Sequence, residues 1–275
     1  VSGSDPTGPL RERDRRAAGI ADLAARLGAP VHRLRSFKLQ AGEVVTDRDL
    51  YGVRVRDAAR VRAELVPLLR ALACPAPFVD EVCARLPGCR FVHLGREGRR
   101  SGDSVRVYLE RRAPPAAPGP TGPVEVHRAF KWAADGSGGA VDSYVTDPAW
   151  GAEEIRRRVT QLVGVVDARL AELVLERWRP PVPDNPGSGA GHPQLLEVVG
   201  VGHARHSIDL SLLAAGVRVS DLEDLLDRAA ELAGVDRATV RSTRMGGERV
   251  ARIAAGRHRS GEAFLTVYLA DRRPG

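Results

Sequence analysis

RSGDSVRVYLERR, residues 100–112, is the stretch from which the rest of the chain can be read. Arg100-Ser101-Gly102-Asp103 is a turn that feeds a strand. In that strand Val105, Val107 and Leu109 alternate with Ser104, Arg106, Tyr108 and Glu110. Successive strand side chains point to opposite sides, so one face is apolar and the other carries a cation, a phenol and an acid. A near copy closes the chain, where Arg259-Ser260-Gly261-Glu262 precedes AFLTVYLADRR. The two arms differ in content: Thr266 and Ala270 stand where the first has Arg106 and Glu110.

A second pair of landmarks keeps the same order. Gly52-Val53-Arg54-Val55 with Asp57 matches Gly216-Val217-Arg218-Val219 with Asp221, and each lies about 50 to 55 residues before its Val-Tyr-Leu. Two matches in register indicate duplication of one large unit rather than a solenoid of short repeats. The unit reads strand, helix, shorter helical segment, strand, strand. The pattern predicts helices at 11–28, 55–73 (Pro67 is its interior flaw), 75–86, 152–178 and 220–234, and a short segment at 236–245. Strands are expected at 31–40, 90–97, 104–111, 124–132, 140–146, 195–201, 205–213, 249–255 and 263–271. Ser220 with Glu223 has the spacing of a capping box, ahead of a buried stripe of Leu222, Leu225, Leu226 and Ala229.

The domain reading follows. Residues 1–10 are a disordered N-terminus, and 11–178 are the first half with connecting strands and a long helix. Residues 179–193 are a Pro/Gly linker, and 194–275 are the second half, packed with the first into one compact unit. The fold class is α+β, with helix-helix-strand-strand units and antiparallel strands. Asp142, Tyr144 and Thr146 alternate with Val141 and Val145, as Arg205, Ser207, Asp209 and Ser211 do with Ile208, Leu210 and Leu212. Helices therefore cover the apolar face, and the polar face meets water or a cavity. Tyrosines and opposite charges on that face favour the cavity. Open sheets and a closed barrel both remain compatible with the pattern.

Composition narrows the class. Hydrophobic content of 43% and charged content of 28% are those of a globular protein. No apolar run approaches the roughly 20 residues of a membrane helix, and the N-terminus lacks a signal-peptide core. A cytoplasmic location is expected, with no membrane partner. The net charge of +7 invites a nucleic-acid reading. However, only Lys38 and Lys131 of the 42 basic residues are lysine, and the arginines are spread along the chain among 35 acids. That distribution is arginine filling surface positions rather than a binding tract. Nucleic acid is not an expected partner, and an aromatic content of 4% argues against stacking on single strands. Cys74, Cys83 and Cys89 do not have zinc spacing, and His93, His127, His203, His206 and His258 form no HxH or HExxH, so no metal or other cofactor is expected. The glycine-rich stretches at 135–139 and 186–191 are not phosphate loops.

A helix-helix-strand-strand unit with an apolar outer and a polar inner strand face resembles the ABBA (PT-barrel) aromatic prenyltransferases. The resemblance implies an allylic diphosphate held by strand-borne Arg and Lys, with tyrosines shielding a carbocation in a basic-x-Tyr pattern. Arg106-x-Tyr108 fits that pattern, and Lys131 offers a second cation. On the last strand Thr266 departs from it, beside Tyr268. The run His93-Leu94-Gly95, with Val107-Tyr108-Leu109-Glu110, also resembles the β-carboline-forming Pictet–Spenglerases, which use a strand-borne Glu as acid/base on an aromatic amine and an aldehyde.

Both resemblances imply C–C bond formation on an aromatic, indole-like substrate, with a phosphorylated co-substrate in the first and an aldehyde in the second. An RNA- or polyanion-binding module is the reading from a different class. Glu110 is the candidate general base, with burial expected to raise its pKa toward neutrality, and His93 is the candidate for assisting proton transfer. Arg106 lies roughly 13 Å from Glu110 along the strand, too far for direct pairing. Arg106, Lys131, Arg205 and Arg257 are candidate phosphate ligands, and Tyr108, Tyr144, Asp209 and Tyr268 complete the substrate-binding set. A homodimer is left open.

Overall fold

The computed structural model describes residues 31–98, 102–111, 122–180, 194–243 and 247–270, together with Leu23 and Arg26. The expected N-terminal disorder, most of the 11–28 helix, the Arg100-Ser101 turn, and most of the 113–123 and 179–193 segments lie outside them.

Among the described residues, eleven strands form one antiparallel sheet: β1 (Val31–Gln40), β2 (Glu43–Val45), β3 (Arg48–Arg54), β4 (Phe91–Glu97), β5 (Ser104–Glu110), β6 (Val124–Ala133), β7 (Ala140–Thr146), β8 (Leu195–Val201), β9 (His206–Ser211), β10 (Val250–Arg257) and β11 (Ala263–Leu269). Neighbours in the sheet follow chain order from β3 to β11, and β1 pairs with both β3 and β11. Ten strands thus close into a barrel, with β2 a short pairing beside the end of β1. Closure removes the free edges an open sheet would expose.

Six α-helices among the described residues sit outside the barrel: α1 (Ala58–Ala71), α2 (Ala76–Arg85), α3 (Ala152–Gly164), α4 (Ala168–Arg177), α5 (Glu223–Ala233) and α6 (Arg237–Ser242). Asp57 caps α1 by accepting from the backbone N–H of Ala59 and Arg60 at 2.9 and 3.1 Å. Val61, Leu65 and Leu69, at a helical spacing of four, pack against Val92, Leu94, Val107 and Phe130 of the strands. Pro67 lies on the exposed side of α1, away from this contact. Ile155, Val159, Leu170, Val174, Leu225 and Leu226 pack in the same way on Phe37, Leu210, Ile253 and Val267. The outward strand positions make these two cores, so the polar alternates point into the barrel.

Two expectations are corrected. The single helix at 152–178 is two helices: Gly164 ends α3 and Asp167 caps α4, accepting from the backbone N–H of Leu170 at 2.7 Å. The helix-helix-strand-strand order therefore occurs three times, before β4–β5, β8–β9 and β10–β11. The Ser220–Glu223 capping box does not form. A 3₁₀ turn at Val219–Leu222 leads into α5, and Asp221 instead accepts from the backbone N–H of Arg218 at 2.8 Å. The stripe of Leu222, Leu225, Leu226 and Ala229 is buried as expected.

Candidate active site

Among the described residues, the barrel interior holds two chambers. The β6–β7, β8–β9 and β10–β11 hairpin loops, with Gly102 and Asp103 ahead of β5, crown one end, and beneath them lies a cavity of about 540 Å³. A smaller cavity of about 200 Å³ lies toward the other end, where strands run on into helices. Tyr108, Tyr144 and Tyr268 line both chambers and form the partition. The Tyr108 and Tyr144 rings meet edge-on with centroids 5.7 Å apart. Three of the four tyrosines in the chain are thus committed to one internal layer.

The hairpin-end chamber is basic. Lys38, Arg48, Arg106, Lys131 and Arg205 line its wall with Glu97 and Asp142, and Asp103, Asp135, His258 and Arg259 stand at its mouth. In the wall, five cations face two carboxylates. Arg106 and Lys131 are directly opposite each other on β5 and β6, an arrangement of like charges that opposes folding. Glu97 and Asp142 offset it. Glu97, 1% exposed, accepts from Arg48 Nε at 2.8 Å and also pairs with Arg106. Asp142 pairs with Lys131 and accepts from Arg205 Nη1 at 2.5 Å. Gly95 faces Arg106 across β4 and β5, and a Cβ there would lie 3.0 Å from the Arg106 side chain and 2.9 Å from Leu50. Its missing side chain makes the room in which the guanidinium stem lies.

The helix-end chamber has different chemistry. Leu34, Leu50, Val126 and Leu196 give it apolar walls, and His93, Glu110 and His127 give it a polar corner. His93 Nε2 and Glu110 Oε2 are 2.7 Å apart. Glu110 faces His127 directly across β5 and β6. Asp209 lies here too, tied to Arg252 Nε at 2.5 Å, while its backbone carbonyl accepts from Arg252 Nη2 at 2.9 Å.

Electrostatics separate the chambers further. Burial would raise the Tyr108 phenol, but Arg106 and Lys131, with hydrogen bonds from Arg106 and Tyr144, outweigh it and bring its pKa down to about 8. Burial pushes Tyr144 well above its ordinary value and Tyr268 up to about 12. Burial also lowers the Lys131 ammonium, as do Arg205 and Arg106, against the pull of Asp142. For Glu110 the expectation is reversed. Burial raises its pKa, but His93 (by hydrogen bond and charge), His127 and Arg90 prevail and hold it below its ordinary value.

The structure therefore divides the sequence-derived candidates into two groups around a tyrosine layer. Arg106, Lys131 and Arg205 share the basic chamber; His93, Glu110 and Asp209 share the other. Arg257 belongs to neither. It is exposed and donates to the carbonyls of Gly261 and Val165 at 2.9 and 3.0 Å. Sequence reasoning missed Lys38, Arg48, Glu97, Arg252 and the partnership of His127 with Glu110. Lys38 was within reach, since Ser36, Lys38 and Gln40 alternate with Phe37 and Leu39. Arg48 left no such signal. Its Nη1 donates to Thr266 Oγ1 at 3.3 Å and its guanidinium lies 5.9 Å from the Tyr268 ring centroid. The cation absent from β11 is thus supplied by β3.

Two solved structures share this architecture. One is a 6-dimethylallyltryptophan synthase from Micromonospora olivasterospora, in complex with DMASPP and Trp. It is 13% identical and aligns over 94% of this chain and 95% of its own, with a TM-score of 0.54. The other is a 6-dimethylallyl tryptophan synthase, 14% identical over 98% of this chain and 97% of its own, with a TM-score of 0.55. No protein-family model matches the chain, and no curated protein sequence does. The fold is the PT-barrel of the aromatic prenyltransferases.

Proposed function

We propose that this barrel transfers a prenyl group from an allylic diphosphate to an aromatic, indole-like ring. The observation that carries the reading is the pair Arg106 and Lys131, placed opposite each other inside a chamber whose wall has three more cations than carboxylates. Such an excess of positive charge favours entry of a multiply charged anion, and an organic diphosphate fits both its size and its sign. A Pictet–Spengler condensation would also use Glu110, but it needs no multiply charged anion and leaves the cation excess of that chamber without a role. Cations enclosed in a cavity of about 540 Å³ are likewise badly placed for RNA.

The chemistry then follows from the partition. Cleavage of the C–O bond releases an allyl cation and a diphosphate, which the Lys38, Arg48, Arg106, Lys131 and Arg205 side chains retain. The electron-rich faces of Tyr108, Tyr144 and Tyr268 stabilise the cation and exclude water while it crosses. A ring carbon of the acceptor, lying in the helix-end chamber, attacks to form the new C–C bond. The proton on that carbon passes to Glu110. Its lowered pKa keeps it ionised at neutral pH, and the protonated ring is acidic enough to need no stronger base.

Incubation with dimethylallyl diphosphate and a panel of indoles and phenols, followed by mass spectrometry, tests the proposal. A prenylated ring is the expected product. The reading fails if no acceptor is modified and inorganic diphosphate leaves the melting temperature unchanged.

A further inference from the structure

His93, Glu110 and His127 form a cluster that the sequence pattern concealed, because each residue comes from a different strand. Their nearest ligand atoms, two imidazole nitrogens and one carboxylate oxygen, all lie within 4.8 Å of one another. The barrel fixes them. Glu110 and His127 are cross-strand partners on β5 and β6, and His93 is one diagonal away on β4. All three border the helix-end chamber, so the side of the cluster away from the strands faces open space.

We infer that these three residues form a binding site for a divalent transition-metal ion of the Zn²⁺ class. Two neutral imidazoles and a carboxylate are a donor set that such ions prefer, and three protein ligands beside a cavity leave a coordination position open. Bonds of about 2.0–2.2 Å require the three side chains to shift by roughly an ångström or less from the separations observed. The His93–Glu110 hydrogen bond is replaced in the process. A metal bound here occupies the carboxylate assigned above to proton transfer, so the ion and the aromatic acceptor exclude each other. That consequence, unlike the binding itself, rests on the proposed function.

Charge around the site gives the inference an unusual check. Arg90 borders the chamber and acts electrostatically on Glu110. It attracts the carboxylate yet repels an incoming cation. Two other cations border the chamber, Arg111 and Arg252, and Arg252 is already paired with Asp209. Removing Arg90 should therefore tighten metal binding.

The test is isothermal titration of the chelator-treated full chain with Zn²⁺ alone, and with Co²⁺ for its visible d–d spectrum. Cys74, Cys83 and Cys89 are free thiols that also attract zinc, so the triple Cys→Ser variant is titrated in parallel. One equivalent should bind to the wild type and to the thiol-free variant. His93→Asn, His127→Gln and Glu110→Gln should each weaken binding by more than about 10-fold, a loss that even removal of an outer-shell partner can cause. Circular dichroism confirms that each variant is folded, and Arg90→Ala should bind more tightly. Absence of binding, retention of it in the histidine variants, or its loss with the thiols would overturn the site. None of these readouts requires turnover, so they stand apart from success or failure of the prenyl-transfer assay.

Discussion

At the scale of single residues, Tyr108 is the most informative side chain. Its phenol is brought down to about 8 by cations that outweigh its burial, while Tyr268 in the same layer is pushed up to about 12. One tyrosinate band should therefore appear near pH 8 in an absorbance titration and vanish in Tyr108→Phe. The ordinary phenol value is 10.0, so the folded state favours the ionised form. The stabilisation is complete above about pH 10 and is lost as pH falls through about 8. Inorganic diphosphate, by neutralising Arg106 and Lys131, should move that band to higher pH. Glu110→Gln keeps the shape of the acceptor site but removes the base, and should cost roughly 100-fold in rate with acceptor affinity nearly intact. Equal rates would remove Glu110 from the mechanism. Arg48→Ala deletes a charged contact that sequence reading missed, and should weaken diphosphate binding by roughly 10- to 100-fold in a fluorescence or calorimetric titration.

At the scale of elements, strands proved easier to read than helices. Alternation in β5, β9 and β11 assigned the inward faces correctly because each of those strands has a helix-covered side and a lumen side; in β7 it did so through the buried lumen residues Asp142, Tyr144 and Thr146. In 152–178 the apolar stripe runs through the break, and the stripe masked the stronger local signals of Gly164 and Asp167. Asp167 does two jobs there. It caps α4, and Arg228 of α5 donates to its Oδ1 at 3.0 Å, joining the middle helix pair to the last. Asp167→Ala should destabilise the fold by about 1–2 kcal/mol on the scale of lost N-caps, lowering the melting temperature by several degrees in a thermal scan. Activity at room temperature should persist, since the residue lies outside the barrel wall. Lumen residues on β3 were harder to place. Thr46 and Asp47 interrupt the alternation between β2 and β3, so no periodicity marks Arg48 as inward-facing.

At the scale of the whole molecule, closure was the feature that local pattern left undecided. It depends on β1 pairing with β11, residues more than 200 positions apart, with Lys38 beside Thr266 and Ser36 beside Tyr268. No local periodicity encodes a contact between the two ends of a sheet. Yet closure is what turns a polar strand face into two chambers, and it brings Tyr268 from the last arm to Tyr108 of the first. The arms that began as near copies thus divide the labour: the first supplies charge, the second completes the aromatic partition. If that partition is what keeps water from the allyl cation, removing one member should uncouple cleavage from transfer. Tyr268→Ala should still consume allylic diphosphate but release a larger share of it as prenyl alcohol, measured as the ratio of alcohol to prenylated ring. Tyr268→Phe, which keeps the ring, should restore the wild-type ratio. An unchanged ratio in the alanine variant would mean that the tyrosine layer only fills space and that water is excluded elsewhere.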